Sequence, residues 1–432
     1  MIRAFLRLSM FGGALLWVVG CGGYSGVVSD PGGDSTIVTF AVTGGTPTAV
    51  ATKVGTGAFN AATLTAGKLT LSLPSGTTNF AVAFACPAVT LTTNSLYQEA
   101  IEEVFEASTL DGTSFTEPCP TAPSTGATGT LTGSVDASAI SGASSLEILA
   151  GNATAQSSAN LLGPSANFSF SAPTGTDRVM VLAYHPEIDG LNETISLAAA
   201  KSFSSQAVPG ALNGGSTVVL GAADETTLEP LSYSGVPSGY GAPFTLVNYE
   251  MGGNGAVLIA ASATSTYAAL PAGATQSGDS YFFTATARSA SNPLEWALVT
   301  ANSTSAAPES FAFPAAWSYA GPTPAALPSF NLSYAGFSGK TDVHSGGSMV
   351  WFTPSTTETL IAVTATGNYL NGSTTLAIPD LSGLTGFIAP PASGTVVSWL
   401  AEISQGSSAS VSSSASNKAV TTVLNAGHYT VP

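Results

Sequence analysis

Residues 68–87 have the sequence Lys68-Leu-Thr-Leu-Ser-Leu-Pro74-Ser-Gly76-Thr77-Thr-Asn-Phe-Ala-Val-Ala-Phe-Ala-Cys-Pro87. Apolar and polar residues alternate up to Pro74, and a second apolar run follows the Pro-x-Gly-Thr segment. Alternation with a period of two is typical of a half-buried β-strand, and proline and glycine are typical turn residues. The stretch therefore predicts two adjacent antiparallel strands joined by a tight turn.

This pattern recurs along the chain. Its counterpart is Asn167-Phe-Ser-Phe-Ser-Ala-Pro173-Thr-Gly175-Thr176. A third version turns at Pro271, and a fourth, poorer one turns at Pro379. Independently, the segment Leu-Ser-Tyr-x-Gly occurs at residues 231–235 and again at 332–336. Both intervals are about 100 residues, which is the size of one β-sandwich. The alternative is chance matching in a sequence rich in Gly, Pro, Ser and Thr.

The repeat predicts an all-β protein of about four tandem antiparallel β-sandwich domains, immunoglobulin-like or transthyretin-like, with at most one short helix. Proline-containing junctions near residues 120–124, 229–231 and 328–331 set the expected boundaries. The predicted segments are a signal peptide at 1–21, a Gly/Ser-rich tether at 22–35, and sandwiches at 36–122, 123–229, 230–328 and 329–432. We expect the last sandwich to lie farthest from the N-terminus and to dock any partner.

The secondary structure of residues 95–107 has two interpretations. Ser95 and Gln98 fit a helical capping box, and the apolar residues after them share one helical face. This pattern favours a helix, and the competing interpretation is a strand through residues 103–109. Shorter β-branched or aromatic segments predict strands at 36–42, 129–135, 146–149, 217–220, 244–249, 256–260, 348–352, 359–366, 396–403 and 419–424. The serine-rich segment 404–416 predicts an exposed loop.

The second predicted sandwich carries Gly129-Thr-Leu-Thr-Gly133-Ser-Val135 and later Asn167-Phe-Ser-Phe170 before its Pro-x-Gly turn. With these residues it resembles a transthyretin-like or carboxypeptidase-regulatory-like β-sandwich. The Thr-Asp-x-x-Gly segment usual in that family is absent here. The resemblance implies a fold and an accessory or adhesive role, and it implies no catalytic residue.

The N-terminus carries Arg3 and Arg7, an apolar run over residues 8–19, and then Val18-Val19-Gly20-Cys21. The run suits a signal peptide and is too short for a membrane-spanning helix. Its end resembles the lipobox of bacterial lipoproteins, although Val18 and Val19 replace the commoner leucine and small residue. The resemblance implies that Cys21 is lipidated, with a palmitate-type acyl anchor holding the protein in the cell envelope, in the outer membrane. The alternative is an ordinary signal peptide with an incidental cysteine.

Composition narrows the possible partners. The chain of 432 residues has a net charge of −16 and only 9 Lys and Arg. Nucleic-acid binding requires clustered basic residues, so a nucleic-acid partner is excluded. The expected partners are the membrane, through the N-terminal lipid, and an envelope protein or a glycan. No motif points to a cofactor.

Cys86 and Cys119 are the remaining cysteines. In an exported protein, two cysteines in one predicted sandwich indicate a disulfide. A metal site is the weaker interpretation, because tetrahedral sites need four Cys or His ligands and the three histidines lie far along the chain.

Acidic residues are densest around Glu102, in a cluster made of Glu99, Glu102, Glu103, Glu106, Asp111 and Glu117. Carboxylate oxygens are the ligands that Ca²⁺ prefers. The alternative, and the one that we adopt, is a solvated helix face or edge strand. No metal site is therefore predicted.

Motifs for catalysis are weak. Residues 336–341 resemble a phosphate loop, but Tyr334 stands where its first glycine belongs. Asp342 and His344 lie near Ser345 and Ser348, but sequence neighbours seldom form a triad, so we interpret this segment as a solvated loop. We therefore predict that the protein is not an enzyme.

Four tryptophans lie in the C-terminal half. Trp317, Trp351 and Trp399 are speculative ligand-binding residues, because aromatic rings stack on sugars, although core packing explains tryptophans in apolar strands equally well. The functional hypothesis is a non-catalytic envelope lipoprotein that acts as a spacer, adhesive or assembly module. The alternative is a glycan- or small-ligand-binding lipoprotein that serves a transporter or enzyme.

Overall fold

A computed structural model of the chain describes residues 35–89, 98–119, 127–152, 155–176, 178–185, 195–252, 255–337, 342–352, 357–406 and 420–432. Within them, regular structure is almost entirely β, in 28 strands, and the single α-helix (α1) is Gly367–Leu370. Short 3-10 turns lie at Thr109–Asp111, Leu212–Gly215, Ala222–Asp224 and Ala272–Ala274. The predicted all-β class with at most one short helix is confirmed.

The strands fall into four modules. Module 1 contains β1 Ser35–Gly44, β2 Ala49–Val54, β3 Asn60–Ala62, β4 Lys68–Pro74, β5 Asn79–Val89, β6 Gln98–Ser108 and β7 Ser114–Cys119. Module 2 contains β8 Thr128–Asp136, β9 Ser145–Asn152, β10 Ala155–Leu162, β11 Ser165–Pro173, β12 Arg178–Tyr184, β13 Ile195–Ser204, β14 Gly210–Ala211 and β15 Val218–Val219. Module 3 contains β16 Thr227–Ser234, β17 Phe244–Glu250, β18 Ala256–Ser262, β19 Thr266–Ala269, β20 Ser280–Arg288, β21 Glu295–Ser303 and β22 Glu309–Ala312. Module 4 contains β23 Ser329–Asn331, β24 Val343–Phe352, β25 Thr357–Thr366, β26 Thr375–Ala377, β27 Val396–Gln405 and β28 Val420–Thr430.

Each module is a sandwich with the same strand order. The second, third, fifth and sixth strands form a four-stranded layer in the order 3-2-5-6, and the first and fourth strands pair in the opposite layer. In modules 1 to 3 a last strand lies parallel to the first strand and completes the small sheet. Apolar side chains from both layers form one core per module, and in module 1 the Phe40 ring stacks on Phe115 at 5.1 Å.

The four larger layers join into one 16-stranded sheet, in which the modules follow the spatial order 2-3-4-1. Two residue pairs join β13 to β18, six join β21 to β28, and nine join β25 to β6. The last sandwich was expected to lie farthest from the N-terminus, but in the described residues it adjoins module 1 and module 2 lies at the opposite end of the sheet. Module 4 lies between modules 3 and 1, because it supplies a paired strand to each of them.

The Pro-x-Gly turns connect the two layers of a sandwich, so the prediction of a hairpin of adjacent strands is also wrong. Strand β4 pairs with β1, whereas β5 pairs with β2 and β6. The turn itself forms as expected, since the Thr77 N–H donates to the Pro74 carbonyl at 3.0 Å and Gly76 has a φ of +82°. The burial pattern explains the layer change: β4 buries every second residue, whereas residues 80–86 of β5 are all buried because protein covers both faces.

Residues 98–108 form strand β6, so the favoured helix at 95–107 is wrong within the described residues. The apolar residues that fit one helical face lie on two faces of the strand. Phe105 packs into the core of module 1, whereas Val104 packs into the core of module 4. A strand buried on both faces lacks strict alternation, and this explains the helical appearance of the pattern.

All ten shorter segments predicted as strands overlap strands of the structure. The boundary expected at residues 229–231 lies within β16, where the Leu231 N–H donates to the Ser265 carbonyl at 2.7 Å. Residues 120–124 lie outside the described part of the chain, and so does most of the serine-rich segment, from residue 407 to 416.

Candidate functional site

The richest cluster of buried charged residues lies where module 1 meets module 4. We define the seam as β6, β7, β25 and helix α1, together with the side chains that bridge them. Strands β6 and β25 pair in parallel, although more than 250 residues separate Glu102 from its partner Ile361. Protein covers both faces of this strand pair at Glu102 and Glu106, so these two acidic residues of β6 are buried.

Asp111 links the two sides of the seam at the end of β6. Its carboxylate accepts hydrogen bonds from the Ser108 N–H at 2.9 Å, from the Thr366 hydroxyl at 2.5 Å and from the Asn368 amide at 2.6 Å. Asp111 is 6% exposed. Hydrogen bonds to a charged acceptor are strong, so this carboxylate links the turn after β6 to the start of α1.

Two glutamates on β6 continue the link. The Glu106 carboxylate accepts from the Lys53 ammonium at 2.8 Å and from the Tyr369 hydroxyl at 2.9 Å. The Glu102 carboxylate accepts from the Ile388 N–H at 2.9 Å. Burial raises the pKa of Glu102 to about 7, although the Ile388 hydrogen bond opposes the shift. The Lys53 contact lies within module 1, whereas the Tyr369 and Ile388 contacts join module 1 to module 4.

A small cavity lies beside the seam, lined by Phe84, Glu103, Val104, Phe105, Glu117, Ala362 and Thr364. Glu117 is 6% exposed, and its Oε1 atom has no hydrogen-bond partner. Burial, with a smaller contribution from the Glu103 charge, raises the pKa of Glu117 well above its usual value. The expectation that the acidic residues form a solvated helix face or edge strand is therefore wrong, because β6 is an interior strand.

The polar groups of the seam hold strands and modules together. The carboxylates of Glu102, Glu106 and Asp111 accept hydrogen bonds from protein donors, whereas the Glu117 Oε1 atom has no partner. Within the described residues, no three His, Cys, Asp or Glu side chains lie close enough together to hold a metal ion. Of the six residues in the acidic cluster, the side chain of Glu99 lies outside the described part.

The buried carboxyls predict that the protein becomes less stable as pH rises. A carboxyl whose pKa is raised by folding binds more protons in the folded state, so its contribution is full below its unfolded pKa near 4.5 and is lost as pH rises through the folded value. Each such group changes the free energy of unfolding by up to about 1.4 kcal/mol per pH unit. We expect Glu117→Gln to flatten this decline at pH values above the unfolded pKa near 4.5, measured by urea unfolding at several pH values.

The control is Glu225→Gln, which changes an exposed glutamate in the same way. It should leave the pH profile of the wild type unchanged. Equal profiles for Glu117→Gln and the wild type would show that Glu117 does not titrate in this range.

Of the sequence-predicted site residues, Cys21 lies outside the described part of the chain. Cys86 and Cys119 form the predicted disulfide, with Cα atoms 5.7 Å apart. It joins β5 in the large sheet to β7 in the small sheet, and it packs against Leu360 of module 4. The disulfide therefore connects the two layers of module 1 next to the seam.

The tryptophans are placed mainly by packing. Trp317 and Trp351 are 4% and 5% exposed and belong to the core of module 4. The Trp317 indole N–H donates to the Ser333 carbonyl at 3.0 Å. Trp399 is partly buried against the backbone of Gly427, where a Cβ would lie 2.6 Å from the indole. Trp317 and Trp351 thus offer no ring face for stacking on a sugar.

Residues 343–352 form strand β24, so the solvated loop expected around His344 is wrong. His344 is 6% exposed, and burial lowers its pKa. Ser345 is the next residue along the strand, so its side chain points to the opposite face. His344 and Ser345 therefore do not form a nucleophile–base pair. Residues 338–341 of the phosphate-loop-like segment lie outside the described part.

Sequence reasoning missed the partners of the seam. Lys53, Thr366 and Tyr369 gave no signal, because each lies far along the chain from the carboxylate that it contacts. The one available clue was an unusual density of glutamates among apolar residues in 99–106.

Comparisons with known proteins give little further information. No protein-family model matches the chain, and no curated protein matches it. A solved structure that it resembles weakly is the pilus adhesin SpaC from Lactobacillus rhamnosus GG, at 10% identity and a TM-score of 0.14. The match covers 77% of this chain and 43% of that protein, so the chain spans less than half of the adhesin's length. At this TM-score nothing about the adhesin transfers to this chain. In the described residues, no helix has the length and apolar character needed to cross a membrane.

Proposed function

We propose that the protein is a lipid-anchored, non-catalytic structural protein of the cell envelope, acting as a spacer, adhesive or assembly module. The observation that carries the proposal is the seam: modules 1 and 4 are joined by nine residue pairs between β6 and β25 and by buried carboxylates. Contacts of this kind hold modules in a fixed arrangement, whereas hinged domains meet through small polar surfaces. A fixed block of sandwiches keeps the surfaces of its modules in constant positions relative to one another.

The anchor in this proposal is Cys21, within the lipobox-like sequence Val18-Val19-Gly20-Cys21. A diacylglyceryl thioether with a further acyl chain gives stable attachment, because two chains are needed for lasting membrane binding. The partner of the block is an envelope protein or a surface glycan. Burial of Trp317 and Trp351 gives no support to the alternative of a small-ligand-binding lipoprotein.

The test is Cys21→Ser. Because the thiol is the only acceptor of the lipid in this proposal, the variant should move from the detergent phase to the aqueous phase in detergent partitioning of cells. The matched control is the double variant Cys86→Ser/Cys119→Ser, which removes the two disulfide-bonded cysteines but keeps Cys21 and should remain in the detergent phase. A Cys21→Ser protein that stays in the detergent phase would overturn the lipid anchor.

A further inference from the structure

The 16-stranded sheet has two ends, and they differ. At one end, β3 has three residues, Asn60–Ala62. At the other, β10 has eight residues, Ala155–Leu162, and pairs on one side only, with β9. A long edge strand exposes a row of backbone N–H and C=O groups that another strand can pair with.

The direction of these groups follows from the turn after β10. The Gly163 N–H donates back to the Ser144 carbonyl at 2.8 Å, so the odd-numbered residues direct their backbone groups towards β9. Backbone groups alternate in direction along a strand. Gln156, Ser158, Asn160 and Leu162 therefore turn theirs away from the sheet, and among the described residues no backbone group pairs with them. The Leu162 side chain is 94% exposed.

Strand β18 is also only partly paired, but side chains shield its free edge from pairing with another strand. Strand β18 pairs with β13 through only two residues, and side chains cover its remaining edge. The Gln156 side chain forms two hydrogen bonds with the backbone of Ala256, at 2.9 and 3.0 Å, and the Tyr184 hydroxyl donates to the Leu258 carbonyl at 3.1 Å. Strand β10 lends a side chain to this protection, but its own edge has no equivalent cover in the described residues.

The distribution of charge along the chain indicates which partner can pair with the free edge of β10. No charged residue occurs between Glu147 and Asp177, a segment that contains all of β10, whereas the chain has a net charge of −16. Edge strands that avoid pairing usually carry a charged residue or a proline, and β10 carries neither. A second copy of the chain is strongly anionic, and two copies that meet along β10 bring together no charged side chain of either edge strand, while Glu147 of β9, the partner of Asn160, is partly buried.

We infer that two copies of the protein pair through β10 in antiparallel orientation, which joins their large sheets across a two-fold axis near Ser158. Antiparallel pairing of β10 with its own copy about this axis matches residues 155–161 of one chain with 161–155 of the other and closes after two subunits. With the axis at Ser158, Gln156 lies opposite Asn160 of the second copy, and both direct their backbone groups across the interface. This inference does not rest on the lipid anchor.

The experiment measures the mass of the full-length chain carrying Cys21→Ser, which removes any association through lipid. Sedimentation over a range of concentrations should show a species with twice the 42.9 kDa mass of one chain. Added salt should strengthen association, because it screens the repulsion between anionic copies. Asn160→Pro removes an outward N–H without removing a bond to β9, so it should raise the dimer dissociation constant at least tenfold while leaving the circular dichroism spectrum unchanged.

A second measurement covers the case in which Asn160→Pro does not fold. Hydrogen exchange of the wild type should show slower exchange in residues 155–162 at high than at low protein concentration, with no change in β16. A monomer at all concentrations, or a dimer whose β10 amides exchange at an unchanged rate, would overturn the inference. So would a folded Asn160→Pro variant that still dimerises with the wild-type constant.

Discussion

Arg178→Met is expected to lower the free energy of unfolding by about 3–5 kcal/mol, because it leaves a buried carboxylate without its counter-charge. Arg178 is 1% exposed, and its guanidinium donates to the Asp279 carboxylate at 2.6 Å. It also donates to the Ala274 carbonyl at 2.6 Å and to the Ser202 hydroxyl at 2.9 Å. Since Asp279 lies in module 3, the ion pair also fixes module 2 against module 3.

The other contacts of Asp279 add to the expected loss. Its carboxylate accepts from the Tyr249 hydroxyl and from the Gln276 N–H, so it cannot move to water when the arginine is removed. Burial, together with the Asp279 hydrogen bond, raises the pKa of Tyr249, and this hydroxyl therefore stays a donor. Methionine fills most of the volume of arginine, so loss of the charge pair dominates the effect.

The matched control is Lys201→Met. Lys201 pairs with Asp224 at 3.4 Å, but its side chain is 38% exposed. An exposed pair contributes about 0–1 kcal/mol. Chemical unfolding followed by circular dichroism measures both variants, and equal losses would show that burial does not strengthen the Arg178–Asp279 pair.

The second large effect is expected from Cys86→Ser/Cys119→Ser. The disulfide closes a loop with a sequence separation of 33 residues, which contributes about 3–4 kcal/mol by restricting the unfolded chain. It also links the two layers of module 1 beside Leu360, so the loss should loosen the seam as well. The measurement is the urea midpoint of the double variant against the wild type.

Cys21→Ser is the control for this comparison, because it removes a thiol outside the described part of the chain and should leave the midpoint unchanged. Reducing the wild type should reproduce the loss seen in the double variant. A double variant as stable as the wild type would mean that native packing alone holds the layers of module 1 together.

The sequence predicted local features well where they depend on neighbours in the chain. Alternation in 68–74 and the Pro74–Gly76 turn identified a strand and its end. They did not identify the partner of the strand, because a tight turn can join two strands within a sheet or two layers of a sandwich. The burial of both faces of β5 decides between these arrangements, and burial depends on the other modules.

The errors at β6 and β24 have one cause. Both strands lie inside the large sheet, and residues of module 4 and module 1 contribute to the same cores. Glu102 and His344 are polar residues in such positions, and polarity in the sequence wrongly indicated solvent for both. The seam itself depends on contacts such as that between Asp111 and Asn368, for which a single sequence carries no signal.

The parallel pairing of β6 with β25 imposes a time order on assembly of the chain. A protein that emerges from its N-terminus presents β6 long before β25 is available, so the nine positions of β6 that pair with it stay open until module 4 has emerged. Contacts between residues so distant in sequence raise the contact order and slow folding. Unpaired strand edges in folding intermediates also promote aggregation. Module 4 thus supplies the strand that pairs with β6. Module 1 reaches its final form only when β25 has emerged.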